Sequence, residues 1–140
     1  MSVEENEEKV RHVWEEVMNK GELAVADELM AANYVYHGPG GVDAKGPEGF
    51  KQYVAIYRTA FPDIHCTIED MFGEGEKVVS RFTLRGTHLG DMMGIAPTGK
   101  KAEIIGIVIS HFAGGKEVEA WGSYDTLAMY QQLGISPPGQ

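Results

Sequence analysis

The chain has 140 residues, with 12 Lys and Arg against 21 Asp and Glu for a formal net charge of −9. That length fits one domain with a real core, and 43% hydrophobic with 24% charged residues argues against disorder. The acidic balance, without a local run of Lys and Arg, speaks against nucleic acid and anionic lipid as partners, and no run of roughly 18 apolar residues offers a membrane span. The acidic start Met1-Ser2-Val3-Glu4-Glu5 lacks a signal-peptide pattern, and the single Cys66 is no disulfide framework. A cytoplasmic location is expected.

Ser2-Val3-Glu4-Glu5 reads as a capping box opening a first helix, with Val10, Val13, Trp14, Val17 and Met18 on one face and Gly21 after its end. A short second helix carries Leu23, Ala26, Leu29 and Met30. Gly38-Pro39-Gly40-Gly41 is a loop, and Gly46-Pro47 opens a third helix whose face is Phe50, Tyr53, Val54, Tyr57 and Phe61. After Pro62 the period changes to two. Ile64, Cys66 and Ile68 alternate along one strand, and Val78, Ser80, Phe82 and Leu84 along the next, joined by a turn over residues 73–76. A Gly- and Met-rich loop, 86–99, leads to a strand over 102–112 whose centre, Ile104 to Ile109, is apolar on both faces. Gly114-Gly115 turns into a last strand over 118–125, and 126–133 reads as a closing helix. Segregated helices and about four antiparallel strands predict an α+β fold, one domain over 1–135 with a short tail over 136–140.

The second half carries a resemblance. Gly86-Thr87-His88-Leu89-Gly90 with Gly94-Ile95-Ala96-Pro97-Thr98-Gly99-Lys100 resembles a stretch of the SnoaL-like polyketide cyclases. Phe112-Ala113-Gly114-Gly115-Lys116-Glu117-Val118-Glu119-Ala120-Trp121 is similar to their hairpin, Trp121 to Asp125 to their W-x-x-x-D, and Gln132-Leu133-Gly134 to their closing motif. Tyr34-Val35-Tyr36-His37 matches an aromatic stretch ending in His. The resemblance implies the cone-shaped NTF2-like fold, with helices on a curved antiparallel sheet around a pocket, and cyclisation by an intramolecular aldol reaction without metal or cofactor. It places the acid/base Asp at Asp125 and a pocket His at His111. Ile109 stands where the cyclases have Gln.

Read from the residues, Trp121, Ser123 and Asp125 share one face of the last strand, and Ile105, Ile107, Ile109 and His111 share one face of its partner. If those faces coincide, a carboxylate and an imidazole enter an apolar cavity, where burial moves an Asp toward neutral-pH proton transfer. Asp125 is also a plausible N-cap for the closing helix, and His111 a plausible core histidine. His37 is either a third catalytic group or a rim residue. His88 is a loop or lid contact, and His12 and His65 are read as solvated. Three histidines could hold zinc, but their spacing supports no metal site. Trp14, Tyr34, Tyr53, Tyr57, Phe61, Phe82 and Trp121 divide between core and pocket lining, with Ile109 beside them. Met92 and Met93 are expected to be exposed on a lid.

A cofactor-free acid/base enzyme acting on a small apolar or aromatic carbonyl compound is the leading expectation. A non-catalytic ligand-binding domain, or isomerase, dehydratase or epoxide-opening chemistry in the same pocket, are the alternatives. A homodimer is expected through the outer sheet face, assigned to the parity of Ile104, Gly106 and Val108.

Overall fold

A computed structural model of the chain describes residues 2–137. Helix α1 (Val3–His12) opens with the expected capping box, Ser2 Oγ accepting from the Glu5 amide at 3.1 Å. It continues as a π-helical stretch, Val13–Asn19, and the chain leaves it through Gly21 at φ +73°. Then come α2 (Val25–Leu29), β1 (Met30–His37), a 3-10 turn (Pro39–Gly41), β2 (Asp43–Lys45) and α3 (Gly46–Ala60). The second half is β3 (His65–Glu74), β4 (Lys77–Thr87), β5 (Lys101–Ala113), β6 (Lys116–Tyr124) and α4 (Thr126–Leu133). The α+β class stands. Of the tail expected over 136–140, residues from 138 on lie outside the described residues.

The sheet has six strands in the order β2-β1-β6-β5-β4-β3, not four. The two additional strands come from the first half, where Tyr34-Val35-Tyr36 alternates too briefly to stand out beside its helices. β1 lies parallel to β6, a long-range pairing that no local pattern announces, and every other pair is antiparallel.

β5 settles which of its two apolar parities faces the helices. Ala102, Ile104, Gly106, Val108, Ser110 and Phe112 are inward, while Ile105, Ile107 and Ile109 are exposed on the outer face. This corrects the expected assignment, which had the two parities exchanged. The inward side is fixed by β4, where Val78, Ser80, Phe82 and Leu84 are all buried, because paired strands share their pleat. Small residues make room for large ones there. A Cβ on Gly106 would stand 2.7 Å from Phe82 Cζ, and one on Gly122 only 2.1 Å from the Tyr36 hydroxyl.

Candidate active site

Between the sheet and the helical layer lies a mostly apolar cavity, the setting in which small-molecule sites are commonly found. The helical side contributes Val10, Val13, Trp14 and Met18 from the first helix, and Phe50, Tyr53 and Tyr57 from α3. The sheet contributes Tyr34 and Tyr36 from β1, Val108 and Ser110 from β5, and Glu117, Ala120 and Tyr124 from β6.

Glu117 is the one charged residue among the described residues of that lining, and it is 4% exposed. Its inward position comes from a break in register. β5 and β6 pair His111 with Glu119 and then Phe112 with Glu117, so Val118 has no partner. This extra residue is a β-bulge, and it reverses the alternation on its far side. Without it, Glu117 would share the outer face with Glu119 and Trp121. A strict period of two therefore hides this residue. Lys9 of α1, whose ammonium donates to the Gly115 carbonyl, ties the same hairpin to the first helix.

Burial pushes the Glu117 carboxyl up to about 8, and a hydrogen bond from Ser110 opposes the shift. Glu117 therefore holds a proton at neutral pH and can release it just above. The phenols do the opposite. Burial raises Tyr57 to about 12 and lifts Tyr34, Tyr36 and Tyr124 still further, so these groups stay protonated as hydrogen-bond donors. Tyr124 bonds to Tyr36 and stands 3.5 Å from the Tyr57 hydroxyl, forming a connected set of phenols. The rings also pack in series, Tyr36 to Tyr53 at 5.2 Å and Tyr53 to Tyr57 at 5.3 Å.

Of the residues singled out from sequence, Trp14, Tyr34, Tyr53 and Tyr57 line this cavity. Phe61 lines a smaller recess that shares Tyr57 with it. Phe82 is fully buried behind Trp14, ring centroids 4.4 Å apart, and Trp14 donates to Ser80 Oγ at 3.3 Å. The others lie elsewhere. Asp125 is exposed and caps α4, accepting from the Ala128 amide at 2.9 Å. His111, Ile109 and Trp121 follow the outward parity and do not line the cavity. The coincidence of their faces is real, since Ile109 pairs with Trp121, but it is on the outside of the sheet.

His37 is on that side too, stacked over Trp121 with ring centroids 5.8 Å apart. Its Nε2 lies 2.6 Å from Glu119 and its Nδ1 2.9 Å from Asp43, and these two bonds hold the imidazolium form above its usual range. His88 and Met92 are buried, against the expectation of an exposed Met92. His88 Nδ1 accepts from the Thr98 amide and so braces the 86–99 loop from within, while that loop's Leu89 and Gly90 amides both donate to the Ala60 carbonyl. Met93 alone of the Met pair is exposed. The Cys66 thiol is buried and pushed up by desolvation, unsuited to nucleophilic chemistry. Among the described residues, no group of three or more His, Cys, Asp or Glu side chains is arranged to hold a metal ion.

Glu117, Ser110, Tyr36 and Tyr124 were missed by reading the sequence. Tyr36 and Tyr124 carry a detectable signal, being inward positions of their strands and aromatic. Glu117 carries none, because only the bulge turns it inward.

Comparison with known proteins gives a consistent answer. A family model described as SnoaL-like polyketide cyclase matches residues 8–133. Aklanonic acid methyl ester cyclase AcmA of Streptomyces galilaeus is 33% identical over 113 residues, covering 74% of this chain and 76% of that protein. IdmH from Streptomyces antibioticus, a candidate polyketide cyclase, superposes with a TM-score of 0.81 at 30% identity, over 93% of this chain and 99% of its own. A candidate SnoaL-like cyclase from Jannaschia sp. CCS1 has the same fold, with a TM-score of 0.88 at 23% identity over 96% and 94% of the two chains. The protein belongs to the SnoaL-like polyketide cyclase family.

Proposed function

We propose that the protein is a cyclase-type enzyme that works by acid/base chemistry, without a cofactor, on an apolar carbonyl compound, with Glu117 as the proton acceptor and donor. The observation that carries this reading is a fully buried carboxyl, raised to about 8, inside an apolar cavity ringed by protonated phenols. The ionised carboxylate takes a proton from the carbon beside a carbonyl. The phenols of Tyr36, Tyr57 and Tyr124 donate to the enolate oxygen as charge develops there. The enolate carbon then bonds to a second carbonyl carbon of the same molecule, and the alkoxide so formed recovers the proton from Glu117. Protons and charge balance over the cycle, as ring closure requires. Asp125 keeps its capping role.

The assay needs no knowledge of the natural substrate. Exchange of the protons next to the carbonyl of 2-acetyl-6-methoxynaphthalene in D₂O reports the first step alone, and aklanonic acid methyl ester, named for the Streptomyces galilaeus relative, is the first compound to try for ring closure. Catalysed exchange should rise with pH to a plateau above about 8, following the ionisation of Glu117. Glu117→Gln should reduce it by about a hundredfold or more, with ligand affinity kept. Binding without any exchange would make the domain a ligand carrier instead.

The dimer belongs to the outward parity. Ile105, Ile107, Ile109 and Trp121 are exposed side by side on β5 and β6, and we propose that a second copy covers them. Light scattering of the wild type should give twice the 15.3 kDa of one chain, and Ile107→Lys should return it to the single mass. A monomeric wild type would end this proposal.

A further inference from the structure

The cavity has an uncharged neighbour. A surface groove shares Tyr53, Tyr57 and Tyr124 with it and extends over Val42, Ile56, Met93 and Leu127. Among the described residues, none of the side chains that line the groove is charged, in a chain whose net charge is −9. Val42, Met93 and Leu127 are exposed there, apolar surface that a soluble chain has no stability reason to gather at one place. Met93 is moreover held at φ +47°, a conformation that costs a residue with a side chain, with the next amide, Gly94, bonded to Asp91 at 2.9 Å. The backbone is thus set in a disfavoured conformation where it presents Met93 to the groove.

We propose that cavity and groove are the two halves of one binding site, and that the ligand is a bipartite neutral molecule. Its carbonyl end sits inside with Glu117, and an apolar extension passes the three shared tyrosines to lie in the groove. This rests on the reading of the cavity given above. Glu117 lines the cavity and not the groove, so the carboxyl is confined to the inner half, while the described groove residues offer only neutral polar groups such as Thr126 and Tyr130. An anionic extension, such as a phosphate-bearing carrier arm, finds no cation among the groove residues to receive it.

Calorimetric titration with matched ketones tests this. 2-Acetyl-6-methoxynaphthalene supplies the inner part, its 6-hexyloxy homologue adds a neutral tail, and a homologue with a carboxylate at the end of that tail adds a charged one. Each added methylene gives roughly a fourfold gain when fully buried, so the hexyloxy compound should bind at least about tenfold tighter, and the carboxylate compound should lose most of that gain. Leu127→Asp and, separately, Val42→Asp alter exposed groove positions away from the cavity. Each should abolish most of the hexyloxy advantage while leaving the methoxy compound within about twofold. An advantage that survives both substitutions, no advantage in the wild type, or an equal gain from the charged tail would overturn the bipartite site while leaving the inner cavity standing. If the methoxy compound itself fails to bind, the reading of the cavity falls, and this inference with it.

Discussion

The two faces of the central strands are built from similar apolar residues but are put to opposite uses. On the inner face, Val108, Ala120 and Tyr124 enclose space, and the bulge at Val118 delivers one carboxyl into it. On the outer face, Ile105, Ile107, Ile109 and Trp121 form an exposed patch beside His37, whose charge is satisfied by Glu119 and Asp43. The inner carboxyl is kept neutral by desolvation, whereas the outer carboxylates are paired with an imidazolium in water. The same residue type thus has different chemistry on each side of one sheet, decided by burial.

Adjacent substitutions on β5 should break this contrast most sharply. Val108→Lys would force an ammonium into the cavity wall and should cost about 3 kcal/mol or more in a urea melt. Ile107→Lys, one residue away on the exposed face, should cost under about 1 kcal/mol when both proteins are melted at a concentration low enough to keep the chain monomeric. Equal costs would mean that β5 does not separate inside from outside as described.

Gly122→Ala probes the same strand pair from β6. The added methyl would meet the Tyr36 hydroxyl at 2.1 Å, so Tyr36 must shift, at a cost of about 1–3 kcal/mol. Ligand affinity should fall with it, since Tyr36 lines the cavity and bonds to Tyr124. An unchanged melting curve and affinity would show that the phenol set is not held by that close contact.

The smallest effect is expected at Asp125. Asp125→Ala removes the cap of α4 and should cost about 1 kcal/mol, leaving proton exchange within a few-fold of the wild type. A loss as large as that of Glu117→Gln would move the acid/base role to the outer end of β6.

These outcomes bear on what the sequence could show. Local patterns were legible: the capping box at Ser2, the face of α3, the alternation of β4 and the hairpin glycines all appear where their periodicity puts them. The parity of β5 was not, because Ile104 to Ile109 is apolar in both registers and only pairing with β4 distinguishes them. β1 was missed because its partner β6 is nearly ninety residues away in sequence, a pairing that local propensity does not encode, and its local partner β2 is only three residues long. Four aromatic lining residues, Trp14, Tyr34, Tyr53 and Tyr57, could be named because large apolar side chains at inward positions must meet somewhere. Glu117 could not, since a single unpaired residue, Val118, decides which side of the sheet it occupies.

The ionisation of Glu117 itself tests the central claim most directly. With the carboxyl raised to about 8 in the fold and near 4.5 when unfolded, the native state binds the proton more tightly. Stability contributed by this group is present in full below about pH 4.5 and is lost as pH rises to about 8. Carbon-13 NMR of the Glu117 carboxyl, assigned by its disappearance in Glu117→Gln, should titrate near 8, and the variant should lack the corresponding fall in stability, by up to roughly 5 kcal/mol at pH 9. A Glu117 carboxyl that titrates near 4.5, with the same pH–stability curve in both proteins, would contradict a buried proton-holding acid as the centre of this site.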